Sequence, residues 1–271
     1  MTNAEAIRQN LLEANPLREP ALRSIIQSLN LPTGSHRLDA GCGIRLQAIL
    51  LAESTGPTGH VIGLDILPEL LCSATGIIAK EGLANRISFQ AGDVSWLPFE
   101  DDRSDWAWSA DCIGYPAGNL EPSLKEPLRV VKPGGSIILL GWSFQQLLAG
   151  YPLLEARLNT TCSAYNPFFW DKKPESHFMR AARYFRSLGL EDIQSQTFAG
   201  HVQAPLCDRN RTALTSLFAM LWGIPQPEVT AEDWAEFRRL CTPGSPEFIL
   251  DIPEYYAFFT YSMFRGKVPS K

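Results

Sequence analysis

No stretch of this chain approaches the roughly eighteen consecutive apolar residues that a membrane-crossing helix needs. Its first residues, Met1-Thr2-Asn3-Ala4-Glu5-Ala6, have neither a basic segment nor an apolar one, so no secretory signal is expected. Cysteine is sparse and scattered: the six stand at 42, 72, 112, 162, 207 and 241, and no pair forms a Cys-x-x-Cys site. A structural zinc is therefore not expected, and the thiols read as reduced and cytoplasmic. Excess positive charge is lacking too, since the net charge is -5, which argues against a large nucleic-acid footprint. There are no internal repeats or low-complexity tracts. What remains is ordinary globular composition, 45% hydrophobic and 20% charged over 271 residues, enough for one large α/β domain.

The most informative segment is Leu38-Asp39-Ala40-Gly41-Cys42-Gly43, between a predicted strand and a predicted helix at Leu46-Gln47-Ala48-Ile49-Leu50-Leu51-Ala52. Two glycines one residue apart make a tight turn with no Cβ to block a ligand, and the turn delivers a helix N-terminus to the same place. Such a crevice at a strand's carboxyl end suits a nucleotide-type ligand. Val61-Ile62-Gly63-Leu64-Asp65-Ile66 reads as a second buried strand ending in an acid, and a carboxylate there can accept both ribose hydroxyls. A third strand, ending Ala91-Gly92-Asp93, puts another acid within reach of an adenine amino group. Asp39, Asp65 and Asp93 thus fall along one rim. Any one of them alone would equally suit a turn or a helix cap.

On these motifs the chain resembles the class I S-adenosylmethionine-dependent methyltransferases, in particular the small-molecule branch related to the ubiquinone/menaquinone C-methyltransferases. LDAGCG looks like the family's first motif and VIGLDI like its ribose-binding motif. AGDVSWLPFEDDRSDWAW resembles the adenine-binding strand, the turn after it and the fourth strand, and LKEPLRVVKPGGSIILL resembles the helix, the Lys-Pro-Gly-Gly turn and the fifth strand. The resemblance is close over residues 35–142. It implies a Rossmann-like seven-stranded, mostly parallel sheet with an antiparallel last strand, helices on both faces and a helical lid. It also implies S-adenosylmethionine as cofactor, with a site drawn from Asp39, Ala40, Gly41, Cys42, Gly43, Arg45, Asp65, Ile66, Gly92, Asp93, Val94, Ser109 and Asp111. Arg45 stands where the family often has a third glycine; it either meets the cofactor's carboxylate or is a solvated residue of the first helical turn.

The chain reads as a single domain. Residues 1–34 hold two helices, 4–14 and 18–29, broken at Asn15-Pro16, and 35–143 form the cofactor-binding core. The segment 98–105 is too acidic for a core and is expected to cross the surface. Residues 144–175 and 203–254 are expected to be helical lid insertions, with a leucine-rich helix over 144–160 and others over 175–188, 208–222 and 231–240. The last two strands are expected over 190–202 and 256–267.

Methyl transfer from a sulfonium asks mainly for alignment and a dry pocket, with a base needed only where the acceptor must lose a proton. None of His36, His60, His177 and His201 stands out as that base, and the catalytic residue stays unassigned. Asp111 and Tyr115 leave the fourth strand where the transferred methyl should lie. Asp111 suits an acceptor, the cofactor's amino group or a helix cap, and Tyr115 either meets the sulfonium or packs under the lid. The aromatic run from Tyr165 to Trp170 is a candidate wall for an apolar acceptor. The expected partner is a small, apolar or aromatic acceptor methylated at carbon, oxygen or nitrogen, with no metal, no nucleic acid and no membrane insertion, and a homodimer left open. Three rivals stay in view: a dinucleotide-dependent oxidoreductase, which would want glycine at position 46 in place of Leu46; metalloid methylation on Cys72, Cys162 and Cys207; and a non-catalytic cofactor-binding scaffold.

Overall fold

A computed structural model describes residues 3–115, 120–159, 174–223 and 229–270. Seven strands form one sheet: β1 (His36–Ala40), β2 (His60–Asp65), β3 (Ile87–Ala91), β4 (Ser104–Ala110), β5 (Val131–Gln146), β6 (Glu191–Gln203) and β7 (Tyr256–Lys267). Their order is β3-β2-β1-β4-β5-β7-β6, with β1 to β5 parallel and β7 antiparallel to both neighbours. The reversal between β1 and β4 opens a crevice at the carboxyl end of β1, where the glycine turn lies.

Eight helices surround the sheet among the described residues: α1 (Asn3–Ser28), α2 (Leu46–Ser54), α3 (Pro68–Lys80), α4 (Leu120–Val130), α5 (Pro152–Asn159), α6 (Ala181–Ser187), α7 (Asp208–Trp222) and α8 (Ala231–Cys241). Alternation along the strands sorts the core into two faces. Trp106, Trp108 and Ala110 of β4 pack with Leu22 and Ile25 of α1, Leu51 of α2, and Phe218 of α7. Ala107, between them, joins Leu38 of β1, Leu124 of α4 and Phe185 of α6 on the other face.

Three sequence expectations are corrected. The two N-terminal helices are one: α1 runs unbroken through Pro16 and Pro20. Each proline removes one backbone hydrogen bond, but the helix is held on both sides of them by burial of Leu17, Leu22, Ile25 and Ile26, and Asn15 Nδ2 bridges the interval to Glu19 at 3.0 Å. The leucine-rich helix expected over 144–160 is strand as far as Gln146, because β7 offers a long partner: Phe144, Gln145 and Gln146 lie opposite Thr260, Phe259 and Phe258. Glu155, 1% exposed, ends that strand by accepting from the Leu147 and Leu148 amides at 2.8 Å, so the helix starts only at Pro152. The helix expected over 175–188 begins as two short 3-10 turns, the second capped by His177 accepting from the Met179 amide, and is α-helical only from Ala181.

The fifth-strand turn is sterically determined. Gly134 has a φ of +81°, and a Cβ on Gly135 would strike the Asp105 carbonyl. Residues 97–99 cross the surface under the Arg129 guanidinium, which donates to the Leu97 and Phe99 carbonyls at 3.0 and 2.7 Å.

Candidate functional site

The crevice is closed by α1. A cavity of about 290 Å³ lies between that helix, the 41–44 turn, the first turn of α2, the end of β2 and the end of β4. Ile7, Leu11, Asn15, Arg18 and Leu22 line it from above, spaced three or four apart along one stripe of α1. Gly41, Cys42, Gly43, Asp65 and Asp111 line it from below, as the sequence motifs require.

The two glycines have different physical reasons. Gly41, at φ +81°, admits no Cβ because the Cys112 side chain fills that space. Gly43, at φ +53°, faces the cavity, and a Cβ there would lie 3.4 Å from Leu11 Cδ1. Asp65 braces the turn: Oδ2 accepts from the Gly43 amide at 2.9 Å and Oδ1 from the Leu67 amide at 3.0 Å. Two oxygens with four lone pairs still leave it acceptor capacity toward the cavity.

Asp39 lies beneath this turn. It is 1% exposed, and its Oδ2 is buried without a hydrogen-bond partner. Burial, reinforced by the charge of Asp65, pushes its carboxyl up to about 8. Asp39 does not itself line the cavity, so this is a protonated, unmatched acid packed behind the glycine turn. The same surroundings push the Cys112 thiol up to about 12, and burial raises the Cys42 thiol as well, so both are neutral.

At the other end, Asp111 adopts a left-handed φ of +51°. Its Oδ1 accepts from the Trp142 amide at 2.8 Å, and its Oδ2 pairs with the Arg18 guanidinium. Arg18 Nε donates to the Tyr261 hydroxyl at 2.6 Å. Asp111 therefore does not cap the following helix. Burial raises its carboxyl while Arg18 and the Trp142 amide pull it down. The guanidinium is held charged by Tyr261 and Asp111, which outweigh its burial.

Several other expected site residues lie elsewhere. Arg45 is neither solvated nor in the cavity: at φ +75° it is 2% exposed at the N-cap of α2, where burial lowers its pKa. Ala40 is fully buried between the sheet and α4, and Val94 packs against the same cluster. The Ser109 hydroxyl accepts from the Ile113 amide at 3.0 Å and is spent on that turn. Asp93 is exposed, accepting from the Ser95 amide at 2.7 Å, while Ile66 is 64% exposed and Gly92 packs toward Leu64 and Pro98, and none of the three lines the cavity. Tyr115 packs edge-on to Phe178 at 5.4 Å against Gly141.

His36 and His60 lie with tilted rings 6.3 Å apart at the strands' amino ends, away from the crevice, and His201 lies on β6 against Tyr256. Residues 165–170 and Cys162 lie outside the described residues. The described parts of 144–175 and 203–254 do not line this cavity. α7 and α8 bury Leu214, Leu217, Phe237 and Leu240 in the α1-side core instead, and α1 is what covers the crevice. Sequence reading missed Arg18, whose one signal was its place on the stripe Ile7-Leu11-Asn15-Arg18-Leu22.

Comparison with known proteins agrees with this geometry. Residues 32–195 match the family described as a methyltransferase domain. The demethylmenaquinone methyltransferase of Halalkalibacterium halodurans is 30% identical over 199 residues, covering 67% of this chain and 78% of that protein. The chloroplastic tocopherol O-methyltransferase of Arabidopsis thaliana is 35% identical over 182 residues, covering 66% of this chain and 50% of that protein. Among solved structures, a SAM-dependent methyltransferase from Aquifex aeolicus shares the fold, with a TM-score of 0.55, 14% identity and coverage of 99% of this chain and 100% of that one.

Proposed function

The chain belongs to the S-adenosylmethionine-dependent methyltransferases that act on small molecules, and on that premise we propose that its acceptor is an aromatic ring bearing an ionisable hydroxyl, of the hydroquinone or phenol type. The observation that carries the cofactor assignment is the glycine turn lining the cavity, braced by Asp65 at the end of β2. The acceptor class is supported by the two relatives, one named for demethylmenaquinone and the other for tocopherol.

S-adenosylmethionine, when bound, supplies a methyl group made electrophilic by its sulfonium. This chain's residues bind and align. Asp65 would accept from the ribose, Gly41, Cys42 and Gly43 would shape the approach, and Ile66, Gly92 and Asp93 would form the adenine rim. Ile7, Leu11 and Leu22 of α1 exclude water, which favours a step in which positive charge disappears. Among the described residues no histidine lines the cavity.

Two further readings complete the proposal. A reducing cytoplasmic location suits the five described cysteines, all of them free. A homodimer would form along the outer edge of β6, which has no proline and no Asp, Glu, Lys or Arg between Ile193 and Gln203 to prevent pairing with a second copy.

The experiment is transfer of labelled methyl from S-adenosylmethionine to a panel of reduced naphthoquinones, chromanols, simple phenols and non-aromatic amines. Transfer confined to the hydroxylated aromatics is expected. Transfer to the amines alone would refute the acceptor class, and cofactor binding without transfer to any of them would favour a scaffold.

A further inference from the structure

The Arg18–Asp111 pair is a cation and an anion side by side in the cavity wall, at the end opposite Asp65. Their side chains are 15% and 20% exposed. Both are held from behind: Arg18 Nε by the Tyr261 hydroxyl, 0% exposed, and Asp111 Oδ1 by the Trp142 amide of β5. Each therefore stays in place if a ligand loosens their mutual contact. A guanidinium fork can serve a second carboxylate through its remaining N–H groups.

An α-amino-acid head carries both complementary charges, a carboxylate for the guanidinium and an ammonium for the acid. The pair and the glycine turn line the same cavity of about 290 Å³, so a ligand seated on the turn lies beside both charges.

We propose that Arg18 and Asp111 together bind the zwitterionic amino-acid head of the cofactor, Arg18 taking the carboxylate and Asp111 the ammonium, so that cofactor binding fixes α1 over the crevice. The inference rests on the reading that the crevice holds S-adenosylmethionine. It assigns to a residue of α1, outside every sequence motif, one of the two roles the sequence left open for Arg45. It also gives α1 a reason to be stiff at its centre: Arg18 lies between Pro16 and Pro20, where two backbone hydrogen bonds are missing, and the side-chain anchorage to β4 and β7 replaces them.

The test compares two ligands that differ by the amino-acid head: S-adenosylhomocysteine and 5′-methylthioadenosine. Calorimetric titrations of the full chain and of Arg18→Gln are expected to show S-adenosylhomocysteine weakened by about thirtyfold, the range for losing a charge-assisted hydrogen bond, with 5′-methylthioadenosine within about twofold of wild type. Equal weakening of both ligands, or of neither, would overturn the proposal and leave Arg18 as a helix anchor. If Arg18→Gln does not fold, Arg18→Lys serves: a point charge in place of the fork lowers the preference for S-adenosylhomocysteine over 5′-methylthioadenosine, and an unchanged preference overturns the proposal. Failure of the cofactor reading is distinguishable, because wild type would then bind neither ligand.

Discussion

Asp39→Asn separates what the protein needs to fold from what it needs to bind. Asp39 is buried with an unpartnered oxygen, and its carboxyl is pushed from 3.8 to about 8, by burial first and by Asp65 second. In the unfolded chain it returns to an ordinary value. Between the two values the folded protein holds a proton that the unfolded chain has released, so this group's stabilisation, complete at acid pH, is lost as pH rises from about 4 to about 8. At pH 7 the group sits about three pH units above its unfolded value, a cost on the order of 4 kcal/mol. Asparagine has the same shape and no charge to desolvate. The variant should therefore resist urea better than wild type at pH 7, with the difference shrinking to nothing near pH 4. S-adenosylhomocysteine binding at pH 7 should stay within about twofold of wild type, because Asp39 is mostly protonated there and does not line the cavity. Urea denaturation across this pH range, with calorimetry at pH 7, measures both. Parallel stability profiles for the two proteins would refute the argument, since Asp39 would then not be the strained group.

Asp65→Ala should weaken S-adenosylhomocysteine by about 1.5–3 kcal/mol in calorimetry through loss of charge-assisted bonds, and Asp65→Asn by less, because an amide oxygen can still brace the Gly43 amide. Gly41→Ala should lower the thermal midpoint by driving a methyl into Cys112, about 1–3 kcal/mol of overpacking, whereas Gly43→Val should cost binding chiefly, with about 1–2 kcal/mol of left-handed backbone strain. A variant of Gly43 that unfolds but binds normally when folded would show that this glycine serves the turn alone. Gln196→Lys on β6 should turn a dimer into a monomer in light scattering, and a wild-type protein that is monomeric at all concentrations would remove the interface.

The cofactor half of the fold was legible because its constraints are local. A left-handed turn needs glycine at 41, 43 and 134, and buried parallel strands need apolar runs, so sequence alone placed β2 and the end of β3 within a residue or two. The second half failed where distant partners decide. Nothing within 144–160 reveals that Phe258, Phe259 and Thr260 will extend β5, and propensity could not show that α1 survives two prolines on the strength of its buried side. The site shows the same division. Asp39, Gly43 and Asp65 follow from motif spacing, and the structure brings them together. Arg18 meets Asp111 across 93 residues and Tyr261 across 243, separations that no local pattern encodes. Arg45 misled for the opposite reason: a conspicuous substitution inside a motif turned out to be a buried cap beside the crevice.

The central claim is that the crevice between α1 and the Gly41–Gly43 turn holds S-adenosylmethionine. Its most direct test is calorimetric titration of the wild-type chain with S-adenosylhomocysteine and, separately, with NAD. One site per chain for S-adenosylhomocysteine is expected, of micromolar affinity and sharply weakened in Asp65→Ala, with no heat from NAD. Binding of NAD in place of S-adenosylhomocysteine, or S-adenosylhomocysteine binding untouched by Asp65→Ala, would contradict it.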